Sequence, residues 1–389
     1  MASHRILFRS LVVAAASLFT LNVQAQINVG VTLSTTGLAA SLGIPERNTI
    51  ALLPREMGGQ KINYIVLDDG SDPTNAVKNA RKLTAEHRVD VLVGSSTSPN
   101  ALAMIEVAAE TMTPMIAVAA SSAIVAPMDA KRYWVFKPPQ NDSLMARAAF
   151  EHMAKNNIKS VAFIGFNDAY GEGWWHETQK AAEINKLSIV AVERFSRNDN
   201  NVVGQVLKIM AARPEAVLIA GSGTPAAMPQ LALKQRGYQG KIYQTPGIAN
   251  NDFLRIGGKD VDGAFLPVGP SVVAQQLPAS HPARQSGLEF LKAYEAAYGP
   301  GTTSTFAAHV WDVGLWLQNA IPAALNSGAK PGTPEFRKAL RDAIESLKDV
   351  RGVNGVYNLS ANDHNGLDER ARVIMKIENG QWKLLPLSP

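Results

Sequence analysis

Two short runs of small hydroxyl residues are the part of this 389-residue sequence best suited to chemistry. Gly94-Ser95-Ser96-Thr97-Ser98 follows an apolar stretch ending at Val93, and Ala119-Ala120-Ser121-Ser122 follows one ending at Val118. Hydroxyls and free backbone N–H groups at strand ends and helix starts form an uncharged site for an anion such as a carboxylate. Helix capping accounts for either run alone, whereas two in register on adjacent strands point to a pocket. No general base stands beside these hydroxyls, so nothing makes them nucleophiles. Gly221-Ser222-Gly223-Thr224 lacks the third glycine of a dinucleotide fingerprint, with Ala226 in its place. No phosphate loop and no nucleophile elbow occur. The seven histidines are scattered without metal-ligand spacing, and His309 reads as a hydrogen-bonded core or cleft residue. Asp68, Asp69 and Asp72 resemble a calcium loop faintly, but Asn79 stands where its Glu belongs, and Asp72-Pro73 is a helix start. The residues therefore predict a non-enzyme with no metal and no cofactor.

Composition narrows the class further. The chain has no cysteine, which excludes disulfides, zinc–thiolate sites, iron–sulfur clusters and a lipid-modified N-terminal Cys. The net charge is +5, and residues 1–25 hold two of the 38 basic residues and none of the 33 acids, leaving 36 − 33 = +3. That is too little for a nucleic-acid binder that works by charge. His4, Arg5 and Arg9 precede an uncharged run, Leu11 to Leu21, and small residues close the segment at Ala25. This predicts a signal peptide cleaved after Ala25 and a periplasmic protein, since spanning hydrocarbon takes about 20 apolar residues.

The elements that must hold the hydroxyl runs alternate strand and helix. Strands are predicted at Ile27 to Leu33, Ile62 to Leu67, Val89 to Val93 and Met115 to Val118, with helices at Pro73 to Glu86 and Asn100 to Glu110. The same grammar restarts after Lys137-Pro138-Pro139, with strands at Val161 to Gly165, Ile189 to Phe195, Ala216 to Ala220 and Ile242 to Gln244. Past a seam at Leu266 to Pro270 come three helices and a hairpin around Asn379-Gly380. The expected architecture is α/β: two Rossmann-like lobes with parallel sheets, residues 26–138 plus 269–352 and residues 139–268 plus 353–389, with a ligand cleft between them.

In its ordered motifs the chain resembles the type I periplasmic solute-binding proteins of ABC importers, the leucine/isoleucine/valine-binding family. The matching segments are Ile27 to Ser34, Asp68 to Pro73, Gly94 to Ser98, Asp168-Ala-Tyr170-Gly171-Glu172-Gly173 and Phe306 to Asp312. The resemblance implies two lobes joined by three crossovers, a Ser at position 98 holding a ligand carboxylate, help from Ser121 and the backbone at Ala119, and Tyr170 closing from the other lobe. It departs at two positions. Pro246 stands where amino-acid-binding members place an acid for the ammonium, and Leu42 where an aromatic residue caps the ligand. A buried ammonium without a counter-charge costs several kcal/mol. The reading is a carboxylate without an α-amino group and with an apolar body, a benzoate-like or phenylpropenoate-like acid. The alternative is a hydrophobic amino acid, with Asp168 supplying the charge. Thr97, Thr224, Gly247 and Phe306 complete the expected wall, while Trp134, Trp174 and Trp175 are assigned to packing.

The resemblance also implies an ABC permease and its ATPase as partners, membrane contact only through the permease, and a monomer that presents both lobes. A periplasmic ligand sensor feeding a two-component system is the alternative role, which the sequence does not separate from a transport component. An α/β hydrolase would need a nucleophile–base pair that the sequence lacks.

Overall fold

The apolar run Ile27–Leu33 forms strand β1 at the centre of the first sheet, where nearly every side chain is buried. The computed structural model describes residues 26–386, so the expected signal peptide lies outside the described residues. Helix α1 (Ala40–Leu52) follows, an element without a sequence signal because Gly43 and Pro45 interrupt its pattern. Gly43 is required there: a Cβ would sit 2.2 Å from the Ser34 carbonyl oxygen. Then come β2 (Glu56–Met57), β3 (Gln60–Asp68), α2 (Pro73–Ala85), β4 (Val91–Gly94), α3 (Ser98–Glu110), β5 (Met115–Ile116) and β6 (Val135–Phe136). The sheet order is β2-β3-β1-β4-β5-β6, with β1 pairing parallel to β3 and β4.

Asp72 caps α2 by accepting from the Asn75 N–H at 2.9 Å, with Pro73 at the first helical position. Asp68 accepts the Thr35 and Thr36 N–H groups, and Asp69 accepts the Ser34 hydroxyl and the Ser71 N–H. These acids are spent on turns. Helix α3 begins at Ser98, two residues before its predicted start, which places Thr97 at its cap.

The second sheet is built from α4 (Asp142–Lys155), β7 (Ser160–Phe166), α5 (Ala169–Asn185), β8 (Ser188–Phe195), α6 (Val203–Ala211), β9 (Ala216–Ala220), α7 (Ala227–Gln235), β10 (Lys241–Gln244), α8 (Asn251–Gly257) and β11 (Phe265–Val268). Its order, β15-β14-β11-β10-β9-β7-β8, is completed by β14 (Val373–Glu378) and β15 (Gln381–Leu384), which pair antiparallel at the edge. The stretch expected as a seam is thus strand β11 at its start. Helix α9 (Arg284–Tyr298) lies before α10 (Thr305–Asn326) and α11 (Pro334–Glu345). The last two bury Trp316, Leu317, Phe336 and Leu340 in the core under the first sheet. No helix among the described residues is long and apolar enough to cross a membrane.

Where the chain passes between the sheets, one buried carboxylate gathers the strands. Asp312 of α10 accepts from the Val353 N–H at 2.7 Å, the Asn354 N–H at 3.1 Å and the Asn354 amide at 2.9 Å. The Tyr357 hydroxyl sits between Asp312 Oδ2, at 2.6 Å, and the Pro138 carbonyl, at 3.0 Å. Gln140 donates to the Asn354 carbonyl, and Ser271 to its side-chain oxygen. Tyr357 belongs to β13 (Val356–Tyr357), paired with β12 (Val350–Arg351).

Burial pushes Asp312 up to about 6, against the hydrogen bonds it accepts. A folded-state value above the unfolded one gives stability that is full below about pH 4 and is lost as pH rises through about 6. Denaturant titrations of wild type and Asp312→Asn across this range should show a pH-dependent loss, on the order of 3 kcal/mol, that the variant lacks. Parallel profiles would refute the assignment.

Candidate functional site

The first hydroxyl run divides its labour. Gly94 turns the chain at φ +123°, where a Cβ would lie 2.0 Å from the Thr32 carbonyl oxygen. Ser95 donates to Asp69 at 2.5 Å, and Ser96 donates to the buried Glu46 while accepting the Ser34 N–H at 3.0 Å. Burial raises Glu46 well above the usual carboxylate range. Thr97 accepts the Asn100 N–H at 3.4 Å and caps α3. Within this run, the Ser98 hydroxyl alone is buried without a partner.

That hydroxyl lies on the wall of a narrow cavity of about 30 Å³, together with Leu42, Ser96, Thr97, Val118, Ala119 and Ala120 from the first-sheet side. The opposite wall is Tyr170, Arg197, Ser222, Pro246 and Gly247, and α10 closes one end with Thr305, Phe306 and His309. Leu42, Ala39 and Phe306 form a small apolar cluster of their own. Two expected residues stand elsewhere. Ser121 is off the wall, its hydroxyl accepting the Ala123 N–H at 3.3 Å. Thr224 lines a separate surface groove with Pro225 and Leu231. Trp174 is fully buried in the core and is absent from the wall, as is Trp175.

Asp168 caps α5 by accepting the Tyr170 N–H at 2.9 Å and the Gly171 N–H at 3.2 Å. Gly171 is needed because a Cβ would lie 1.9 Å from the Phe166 carbonyl oxygen. The Tyr170 hydroxyl is already committed, donating to Thr245 Oγ1 at 2.8 Å, and Thr245 in turn donates to the Gly221 carbonyl at 2.7 Å. Burial moves this phenol upward, so it stays neutral. Tyr170 therefore offers the cavity a ring rather than a free hydroxyl.

Arg197 is the residue sequence reasoning missed. Its Nε donates to Asp168 Oδ2 at 2.6 Å and its Nη1 to the Ser222 hydroxyl at 2.9 Å, while the guanidinium lies 4.1 Å from the Phe166 ring centre. Its Nη2 is buried and unpartnered. A signal was available: Arg197 follows Phe195, the last residue of β8, and strand ends are where ligands sit. His309 is likewise on the wall, with Nδ1 unpartnered and Nε2 3.4 Å from Thr305 Oγ1. Burial, then the nearby Lys137 charge, pushes it down to about 3, so its imidazole is neutral. The wall thus holds three unsatisfied polar side-chain atoms, Ser98 Oγ, Arg197 Nη2 and His309 Nδ1, and no carboxylate.

The two sides touch at the rim. A Cβ on Gly223 would lie 2.9 Å from Ser41 Oγ and 3.0 Å from Leu42 Cδ1.

Two α/β sheets with a polar-studded apolar cavity between them define a cleft-binding protein. The family comparison names it: a periplasmic binding protein model matches residues 26–381, and the chain belongs to that family. Among solved structures it is similar to an extracellular ligand-binding receptor from Rhodopseudomonas palustris HaA2, with 47% identity, TM-score 0.90, 93% of this chain and 100% of that one covered. It shares the fold of an ABC transporter solute-binding protein from R. palustris in complex with benzoate, at 22% identity and TM-score 0.76, with 93% and 96% covered. An amino acid binding protein of Pseudomonas aeruginosa is 24% identical over 218 residues, 55% of this chain. The match spans 57% of that relative's length.

The Tyr170 hydrogen bond is internal to one side of the cleft. Tyr170→Phe should therefore lower unfolding stability by about 1 kcal/mol in denaturant titration. An unchanged stability would show that the Tyr170–Thr245 bond carries nothing.

Proposed function

We propose that this protein is the substrate-binding component of an ABC importer, exported to the periplasm, and that it captures a small carboxylate lacking an α-amino group. It hands that ligand to a membrane permease as a monomer and does no chemistry on it. One observation carries the ligand class. The cavity presents hydrogen-bond donors, Ser98 and Arg197, and no acid among the described residues lines it; Asp168, the acid paired with Arg197, is occupied by that pair and by two backbone N–H groups.

An α-ammonium entering this cavity would meet a guanidinium and no free carboxylate, at a cost of several kcal/mol. A carboxylate gains charge-assisted hydrogen bonds. Leu42, Val118, Phe306 and the Tyr170 ring supply an apolar sleeve, which suits a benzoate-like or phenylpropenoate-like body. The alternative reading as an amino-acid carrier relied on Asp168 receiving the ammonium, and the Arg197 ion pair speaks against it. A solute-binding protein of the same fold is in complex with benzoate, which supports an aromatic acid as the ligand class.

The test is a thermal-shift screen with benzoate, 4-hydroxybenzoate, cinnamate and 4-methyl-2-oxopentanoate against phenylalanine, leucine and valine. A ligand at 100 times its Kd adds about 2.7 kcal/mol of stability. Shifts with the acids alone are expected; shifts with leucine or phenylalanine alone would overturn the ligand class. Ser98→Ala removes a hydroxyl with no partner in the protein, so its own stability should be unchanged. Its affinity for the acid should drop about tenfold or more by calorimetry.

A further inference from the structure

Behind the Ala119–Ala120 wall lies a cation with no ion-pair partner. Lys137 follows β6, its side chain is wholly buried, and its Nζ donates to the Ala120 carbonyl at 3.0 Å and the Pro139 carbonyl at 2.7 Å. Among the described residues no carboxylate lies within ion-pair distance of it. Lysine is almost never fully buried unless paired. A buried ammonium satisfied only by carbonyls keeps its net charge in a medium that screens poorly. That charge lies directly behind the cavity, because Nζ is bonded to the carbonyl of Ala120, a wall residue.

We propose that the Lys137 ammonium supplies net positive charge for the ligand's carboxylate, acting through the Ala119–Ala120 wall rather than by contact and adding to Arg197, whose own charge is balanced by Asp168. Lys137 is thus a positioning residue that sets affinity. The proposal rests on a carboxylate occupying the cavity, and it holds for an acid or an amino acid.

Several groups face this lysine. Asp142 comes from the start of α4, Asp363 and the His364 carbonyl from the loop before β14, His309 from α10, and the Asp312–Tyr357 pair from behind Pro138. Asp142 and Asp363 favour its charged form, but burial outweighs them and brings Lys137 down to about 7. Asp142 is itself engaged by the Ser122 N–H and hydroxyl. An anion in the cavity stabilises the ammonium and raises its pKa. Above about pH 7, ligand capture must therefore draw one proton from solvent onto Nζ, and affinity must fall as pH rises.

Calorimetric titration of wild type with benzoate and with leucine, at about pH 8 in two buffers of different ionisation enthalpy, reads the proton directly. Net uptake approaching one proton with whichever carboxylate binds is expected. So is a loss of affinity of up to about tenfold per unit between about pH 7 and 8.5. In Lys137→Met, a neutral side chain of similar length, the uptake should vanish and the pH profile flatten. Binding in wild type without proton uptake overturns the proposal even if the variant does not fold. Uptake that persists in Lys137→Met assigns the proton to Asp142 or His309 and overturns it as well. Benzoate failing while leucine binds with uptake would sink the acid reading and keep the lysine. Failure of both ligands at every pH would remove both.

Discussion

The chain must pass between its two sheets, and the polar groups it carries through that junction have no regular ladder to satisfy them. Asp312 answers this constraint. One carboxylate takes the Val353 and Asn354 N–H groups, the Asn354 amide and the Tyr357 hydroxyl, and through Tyr357 it abuts Pro138. Buried backbone donors left unpaired would each cost about 1–3 kcal/mol. The same helix, α10, presents Thr305, Phe306 and His309 to the cavity. The element that ties the crossovers is thereby also one wall of the cleft, and the register between junction and site is fixed within a few helical turns.

On either side of the cavity, most polar side chains are turned away from it. Ser95, Ser96 and Thr97 bond to Asp69, Glu46 and the α3 backbone, and Asp168 is held by Arg197 and the start of α5. This satisfaction makes the site selective, since a fully bonded group has nothing to offer a ligand. What remains is one hydroxyl, one guanidinium nitrogen and one neutral imidazole nitrogen in an apolar sleeve. A site of this kind discriminates by charge sign first and by shape second.

The fold was largely legible in the sequence because its strands are short apolar runs bounded by clear breakers. The Asp72-Pro73 start and the Asn379-Gly380 hairpin carry their own mechanisms, and the structure shows both. Helix α1 was not legible, because Gly43 and Pro45 mask its period and its stability comes from packing against β1 and α10. Strand β11 was hidden by Pro267, which lies opposite Ile374 of β14 and beyond Phe265, the position where β11 pairs with β10. In the site, Ser98, Ala119, Tyr170, Leu42, Thr97, Pro246, Gly247 and Phe306 do meet at one cavity, whereas Ser121 and Thr224 do not. A run of hydroxyls says that oxygen atoms are present but not which way each points, and local capping decided that. Arg197 was missed because its one signal, a place just past a strand end, is shared by many residues, and the exposed, alternating face of β8 does not single it out.

The Gly223 contact fixes how near the two sides of the cleft can come. With Ser41 and Leu42 set against that glycine, a Cβ there would lie 2.9 Å from the one and 3.0 Å from the other, so any side chain at this position would hold the two sides farther apart. The φ of +64° at Gly223 also reserves the position for glycine. The spacing of the cleft is thus set by one absent methyl group.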